Sequence, residues 1–111
     1  MRISSAATAL PPHYYPQKTL IDAFRRYWGP KLERFEVLER LHAATQVDGR
    51  YLALPIEAYP PTSWGAANNV WIQTSLELGE QAICRAMTQA GIAAEEIGAL
   101  FFVSITGISS P

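Results

Sequence analysis

Few side chains in this sequence carry the chemistry of a nucleophile, a general base or a metal ligand, and their surroundings do not favour such roles. The single cysteine, Cys84, falls inside a predicted long helix, away from the helix N-terminus whose positive field would favour a reactive thiolate. We therefore interpret Cys84 as a buried structural thiol. His13 and His42 have no cysteine or carboxylate at metal-ligand spacing, so we expect both to contribute packing or to lie on the surface. The sequence predicts neither a catalytic residue nor a metal site in this chain.

Two pairs of adjacent polar residues have both a functional and a structural interpretation. Glu95 and Glu96 are paired carboxylates, but the first turn of a short solvated helix, where the helix dipole favours negative charge, explains them more simply. Asn68 and Asn69 lie near a predicted helix start, where an amide side chain can cap the helix. The alternative is that these amides bind a neighbouring loop or subunit, and the sequence leaves both interpretations open.

The segment after residue 103 gives the strongest positional indication of a site. Ser104, Ile105, Thr106 and Gly107 complete an apolar run that is typical of a strand buried on both faces. In open α/β sheets, ligands bind beyond the carboxyl ends of the strands, and a glycine lets a backbone approach closely. A plain structural turn is the alternative interpretation of the same residues.

Three helical patterns position these residues along the chain. Residues 17–28 repeat apolar side chains at helical spacing until a Gly-Pro pair ends the pattern, and residues 31–45 form a second helix with a charged outer face. The longest pattern covers residues 66–90, with Gly91 where a left-handed C-terminal residue is expected. Gly79 lies on the apolar side of this helix, where we expect another backbone to approach closely.

Shorter segments are predicted as strands. Residues 3–10 form a small-residue segment that we predict as a first or edge strand, residues 50–54 form another strand, and residues 13–16 are predicted as a loop. Residues 100–105 complete the pattern as a buried strand, so that the preceding helix and this strand form half of a right-handed crossover unit. The predicted fold class is therefore α/β, with short strands, long helices and a buried last strand, as in the opening part of a larger protein.

Composition narrows the classes of function. The 111 residues are 49% hydrophobic and 17% charged, a balance that suits a piece whose apolar surface is covered by further residues. A net charge of -1 gives no electrostatic footprint for nucleic acid or for an anionic membrane. No apolar stretch reaches the length of a membrane span and no secretion signal is evident, so the cytoplasm is the expected location.

Several short motifs follow one another in a recognisable order. They are Arg50-Tyr51-Leu52-Ala53-Leu54-Pro55, Tyr59, Asn68-Asn69, Leu78-Gly79-Glu80-Gln81-Ala82, Ala90-Gly91-Ile92 and Phe102-Val103-Ser104-Ile105-Thr106-Gly107-Ile108-Ser109-Ser110-Pro111. In this order they resemble the N-terminal region of the chalcone and stilbene synthase family, the type III polyketide synthases, and are most similar to its bacterial members. The resemblance extends over nearly the whole chain from Pro11 onward.

The resemblance implies a thiolase-like fold, of which residues 1–111 form an incomplete N-terminal part, and a homodimer. It implies an acyltransferase that condenses malonyl-CoA with an acyl-CoA starter by decarboxylative Claisen chemistry, with no metal or organic cofactor. In the family, a cysteine nucleophile, a histidine and an asparagine perform this chemistry, and all three follow the point at which this sequence ends. Because Cys84, His13 and His42 do not match them, the resemblance assigns no catalytic residue, and we expect this chain alone to be inactive.

One peripheral position of the family concerns CoA. Arg40 matches one of the basic residues with which family members bind the CoA phosphates. The two companion positions fall at Val37 and Ala44, which cannot form ion pairs. A solvated helix face is the equal alternative for Arg40.

Three further positions concern the substrate cavity. Ile105 and Thr106 match residues that line the starter-binding cavity of the family. Ser110 matches the position whose side chain, in plant members, reaches across the dimer into the partner's cavity. A small serine at this rim would leave more room in the cavity than a bulky side chain.

Two other functions remain open from the sequence. One is a non-catalytic interaction module or gene remnant, whose apolar helix and unpaired strand dock on a condensing enzyme or on the remainder of a synthase. The other is ketoacyl synthase III or another thiolase relative, which keeps the fold and changes the chemistry. The segment of residues 50–55 favours the polyketide branch.

Overall fold

The computed structural model describes residues 3–60 and 63–109 of a chain that divides into two compact units. One unit is Pro11–Pro60, and the other combines Met1–Leu10 with Pro61–Pro111. Over the described residues, the regular elements are three α-helices, two β-strands and three short 3-10 turns.

The sheet of the Pro11–Pro60 unit consists of two antiparallel strands. Strand β1 covers His13–Pro16 and strand β2 covers Gly49–Leu52, close to the strand predicted at 50–54. The predicted loop at 13–16 is therefore wrong. Tyr14 and Tyr51 are directly opposed in the register, with ring centroids 5.0 Å apart, and such cross-strand aromatic pairs stabilise a sheet. The flanking prolines indicated a loop, and the strand partner, which lies more than thirty residues later, gave no local signal.

Two helices complete this unit. Helix α1 covers Gln17–Trp28, as predicted, and a 3-10 turn follows at Gly29–Lys31. Helix α2 covers Phe35–Ala44, and so begins four residues later than predicted. The delay has a local cause, because the backbone is extended at Leu32, with φ −112° and ψ 121°, and remains non-helical at Arg34.

The centre of this unit is small. Leu20 and Phe35 are its buried apolar residues among those described, at 5% and 9% exposure. The guanidinium of Arg25 lies 4.8 Å from the centroid of the Phe35 ring and also pairs with the carboxylate of Glu39, which joins α1 to α2.

The other unit is built on one long helix. Helix α3 covers Trp64–Ala90, and Ser63 caps it, since its Oγ accepts a hydrogen bond from the N–H of Ala66 at 3.1 Å. The helix ends as predicted at Gly91, whose φ of 67° is the left-handed conformation.

The predicted strand at 3–10 is wrong, because the described backbone there is irregular and pairs with no strand. Instead, the segment binds α3 through polar groups. Ser5 Oγ donates to the carbonyl of Ala86 at 2.8 Å, and Arg85 donates to the carbonyl of Thr8 at 2.8 Å. These bonds use a hydroxyl and a backbone carbonyl of the segment. They do not require side chains that alternate between two faces, as in a strand.

The predicted buried strand at 100–105 is also wrong for the described chain. The segment has no regular secondary structure, and exposure reaches 70% at Leu100 and 98% at Ile105. A strand buried on both faces needs neighbouring strands for its backbone groups, and within residues 3–60 and 63–109 this segment pairs with none. The right-handed crossover and the α/β sheet expected from it are therefore not formed among the described residues.

Candidate functional site

The two residues predicted to line a starter cavity lie side by side in the irregular segment 100–109. Ile105 is 98% exposed, and Thr106 is exposed as well. The N–H of Thr106 donates to Ser104 Oγ at 3.3 Å, and the hydroxyl oxygens of the two residues lie 3.4 Å apart. This local turn presents one apolar and one hydroxyl side chain together.

Asn68 holds the segment just beyond this turn. Its Oδ1 accepts from the N–H of Ile108 at 2.9 Å, and its Nδ2 donates to the carbonyl of Ile108 at 2.9 Å. Both hydrogen bonds satisfy backbone groups that would otherwise need water or a strand partner. Of the two interpretations left open for the adjacent amides, Asn68 therefore follows the one in which it binds a neighbouring loop, and Asn69 is exposed.

Trp71 lies one helical turn after Asn68 and contacts the same segment. Its ring centroid is 6.1 Å from that of Phe102, in an edge-to-face arrangement. The backbone of Gly107 lies so close to the indole that a Cβ atom there would overlap ring atoms. Close approach therefore favours glycine at 107, but the group that approaches is the indole of Trp71, whereas the sequence suggested approach at a ligand site.

An apolar groove runs beside these contacts, with a volume of about 510 Å³. Its walls come from α3 and from the 100–109 segment, and they include Trp71, Leu76, Gly79, Ile83, Leu100 and Phe102. Leu76 is 66% exposed, and no atom lies within 4 Å of a Cβ built at Gly79. The close backbone approach predicted at Gly79 is therefore not formed among the described residues.

Arg40 belongs to the other unit, where it lies on α2. It is exposed, as are Val37 and Ala44 on the same helix face. The salt bridges found among the described residues are Lys18–Asp22 and Arg25–Glu39, so none of them occupies Arg40. The guanidinium therefore remains accessible, with five N–H donors suited to phosphate oxygens.

Other sequence predictions find less support. Ser110 lies outside the described residues. Cys84 is exposed, so the prediction of a buried thiol is wrong. The prediction relied on the position of Cys84 within α3, but no described element packs over this residue. His42 is half-buried, with Nδ1 at 2.7 Å from the amide nitrogen of Gln17 and its ring 5.6 Å from that of Phe24, in agreement with a packing role.

Residues 3–60 and 63–109 contain neither a cluster of metal ligands nor a membrane-spanning helix. No three histidine, cysteine, aspartate or glutamate side chains in this described part come together in a way that could bind a metal ion. None of the helices described there is both long enough and apolar enough to cross a bilayer.

Sequence reasoning named Asn68 and Gly107 but missed their relation to Trp71. The available signal was helical spacing. Asn68 and Trp71 are three positions apart and so share one face of α3. A segment held by Asn68 therefore also lies near Trp71. Asparagine in a helix interior is unfavourable relative to alanine, and this cost was a further sign of a tertiary contact.

Comparison with known proteins gives one informative relative. No family model matches the chain. The 1,3,6,8-tetrahydroxynaphthalene synthase of Streptomyces peucetius subsp. caesius is 39% identical over 111 residues, which cover 98% of this chain. The chain spans 29% of the length of that synthase.

Proposed function

We propose that this chain is part of an acyltransferase that condenses malonyl-CoA with an acyl-CoA starter, because it is similar to a bacterial type III polyketide synthase, as its ordered motifs indicated. The identity of 39% across nearly the whole chain is the observation that carries this proposal. A thiolase-like fold and a homodimer belong to the same proposal. Residues 1–111 would form an N-terminal part of that fold.

In this proposal the chain contributes to substrate binding and not to bond-making. Ile105 and Thr106 would line the starter cavity, where the isoleucine supplies apolar surface to an acyl chain and the threonine supplies a hydroxyl. Their exposure and their adjacency on a held segment support this role. Ser110, at the rim, would leave space for a larger starter.

Arg40 would bind a CoA phosphate. A guanidinium offers paired donors to phosphate oxygens, and the exposed position on α2 supports access for a ligand as large as CoA. Val37 and Ala44 supply no charge beside it, so Arg40 would be the one cation that the three matched positions bring to the phosphate. Binding of CoA through this face would therefore weaken only modestly with added salt.

Cys84, His13 and His42 take no part in the proposed chemistry. Decarboxylative condensation needs a nucleophile that carries the acyl chain and donors that stabilise the enolate oxygen. The chain is therefore proposed to be inactive by itself and to act with further residues of the synthase.

A second function is favoured by one observation. Phe101 and Val103 are 88% and 87% exposed, which is unusual for apolar side chains in a consecutive run. An interaction module that docks this run on a condensing enzyme would also account for them.

A chimera separates the two functions. The matched segment of the Streptomyces synthase is replaced by this chain, and CoA release from malonyl-CoA with an acyl-CoA starter is measured. We expect the chimera to release CoA and the isolated chain to release none above a blank. A chimera that matches the unmodified synthase in helix content and size but releases no CoA would contradict the enzymatic proposal. Tight binding of the separate chain to the synthase, with no activity of the chimera, would favour the interaction module.

A further inference from the structure

Asn68 makes two hydrogen bonds to one residue of the neighbouring segment, whereas one would be enough to attach it. The two atoms of its amide bind the N–H and the carbonyl of the same residue, Ile108, each at 2.9 Å. A single hydrogen bond fixes a distance, whereas this reciprocal pair also fixes the orientation of the backbone at residue 108. The amide occupies the place that a neighbouring strand would take in a sheet.

A capping role does not explain this contact. Ser63 already caps α3 by accepting from the N–H of Ala66, and Asn68 lies inside the helix five residues later. Asn69 is exposed, and no hydrogen bond of its side chain is found among the described residues. The adjacent amide therefore provides an internal control for effects of helix propensity and polarity.

The contacts of Trp71 restrict the same short stretch. The indole leaves no room for a side chain at Gly107 and meets the ring of Phe102 at a centroid distance of 6.1 Å. Residues 107 and 108 are thus held consecutively, one by exclusion and one by hydrogen bonds. Since consecutive Cα atoms are about 3.8 Å apart, Thr106 cannot move far while both contacts persist.

We propose that Asn68 is a positioning residue that sets the selectivity for the starter acyl group, because its reciprocal pair with Ile108 holds Ile105 and Thr106 at the cavity wall. This inference rests on the proposed function for the identity of the ligand, an acyl-CoA thioester. It does not rest on it for the clamp itself, which can be measured in the chain alone.

Hydrogen exchange in the 111-residue chain tests the clamp. Asn68→Leu removes both hydrogen bonds, and Asn68→Asp keeps an acceptor for the N–H of Ile108 but turns a carboxylate oxygen toward its carbonyl. We expect exchange at the Ile108 amide to rise about thirtyfold in Asn68→Leu, as the loss of both hydrogen bonds implies. Asn68→Asp should give a smaller increase, and Asn69→Leu and Asn69→Asp should give none. Equal exchange in the Asn68 and Asn69 variants would overturn the clamp.

Acyl selectivity tests the positioning role in the chimera described above. The ratio of kcat/KM for a short-chain over a long-chain acyl-CoA should change about threefold or more in Asn68→Asp, since a displaced wall alters how much acyl surface is buried. Asn69→Asp should leave the ratio unchanged. A merely structural role would lower kcat/KM for both starters by the same factor, and that result would overturn the proposal.

Failure of the proposed function gives a different pattern. In that case the chimera with the unchanged chain releases no CoA, while exchange at Ile108 still distinguishes Asn68 from Asn69. The positioning of Thr106 by Asn68 would then stand as a property of the chain, and the assignment of the acyl ligand would be overturned.

Discussion

Replacing Gly107 by alanine is expected to release the segment around Thr106 from α3, because the new methyl group would overlap Trp71. The overlap involves the indole atoms Cδ2, Cε2 and Cε3, which belong to a rigid ring and not to the end of a flexible side chain. Gly107 is not among the residues with positive φ, so alanine fits its backbone and the expected effect is steric alone.

The contacts of the segment set an upper limit on this effect. The two hydrogen bonds of Asn68 contribute about 1 kcal/mol each. The edge-to-face pair of Trp71 and Phe102 contributes about 0.5 to 1.5 kcal/mol. Overpacking by a methyl group costs about 1 to 3 kcal/mol, so it should offset much of the free energy that these contacts contribute to docking. We expect a loss of about 2 kcal/mol in docking free energy, roughly a thirtyfold shift toward the detached state.

Amide hydrogen exchange at Ile108, followed by NMR, measures this shift directly. The informative comparison is a double-mutant cycle with Trp71→Ala, because the methyl group at 107 has nothing to overlap once the indole is removed. Gly98→Ala is the matched control. No atom lies within 4 Å of a Cβ built at Gly98, and its φ is not positive.

Additivity in that cycle would refute the reasoning. If Gly107→Ala raises exchange at Ile108 as much in the Trp71→Ala background as in the parent, within about 0.5 kcal/mol, the indole is not what excludes the methyl group. If Gly98→Ala raised exchange at Ile108 equally, the cause would be the reduced backbone freedom of alanine relative to glycine and not a steric contact with Trp71.

Three simpler substitutions test the rest of the unit built on α3, each by thermal melting of the helical circular dichroism signal. Gly79→Ala should stabilise the chain by about 1 kcal/mol through helix propensity, since no atom lies within 4 Å of the new Cβ; a lower melting temperature would reveal a close neighbour there. Ser63→Ala should cost about 1 kcal/mol by removing the hydrogen bond to the N–H of Ala66, and an unchanged melting temperature would show that the cap contributes nothing. Gly91→Ala should cost about 1 kcal/mol because its φ is 67°, and a cost no larger than that of Gly98→Ala would contradict the left-handed conformation.

The helices could be predicted because their signals are local. Apolar spacing and the Gly-Pro stop placed α1 at Gln17–Trp28, and Gly91 marked the end of α3. The start of α2 was misplaced because the non-helical backbone at Leu32 and Arg34 gives no signal in this charged, periodic sequence. Periodicity predicts which face a residue would occupy in a helix, but not where a preceding turn allows the helix to begin.

The strands could not be predicted in the same way, because a strand is completed by its partner. Strand β1 has two prolines on one side and a proline at its end, and its pairing with β2 depends on residues more than thirty positions away. The same dependence explains the opposite error at 100–105, where the apolar run has the composition of a strand but pairs with no strand in the part of the chain that the structure describes.

The exposed apolar run and the contacts of Asn68 both reflect the lack of strand pairing at this segment among the described residues. When such a segment pairs with no strand, its backbone groups need other hydrogen-bond partners and its apolar side chains need other surfaces to cover them. In the described chain, one amide of α3 satisfies the backbone of Ile108 and one indole covers Phe102, whereas Phe101 and Val103 remain exposed. A side chain on a helix can imitate a strand at one residue only, since successive helical turns are spaced differently from successive strand residues. The clamp therefore fixes the backbone next to Thr106, where the proposed acyl group would bind, while the apolar side chains of Phe101 and Val103 before it stay exposed in the described chain.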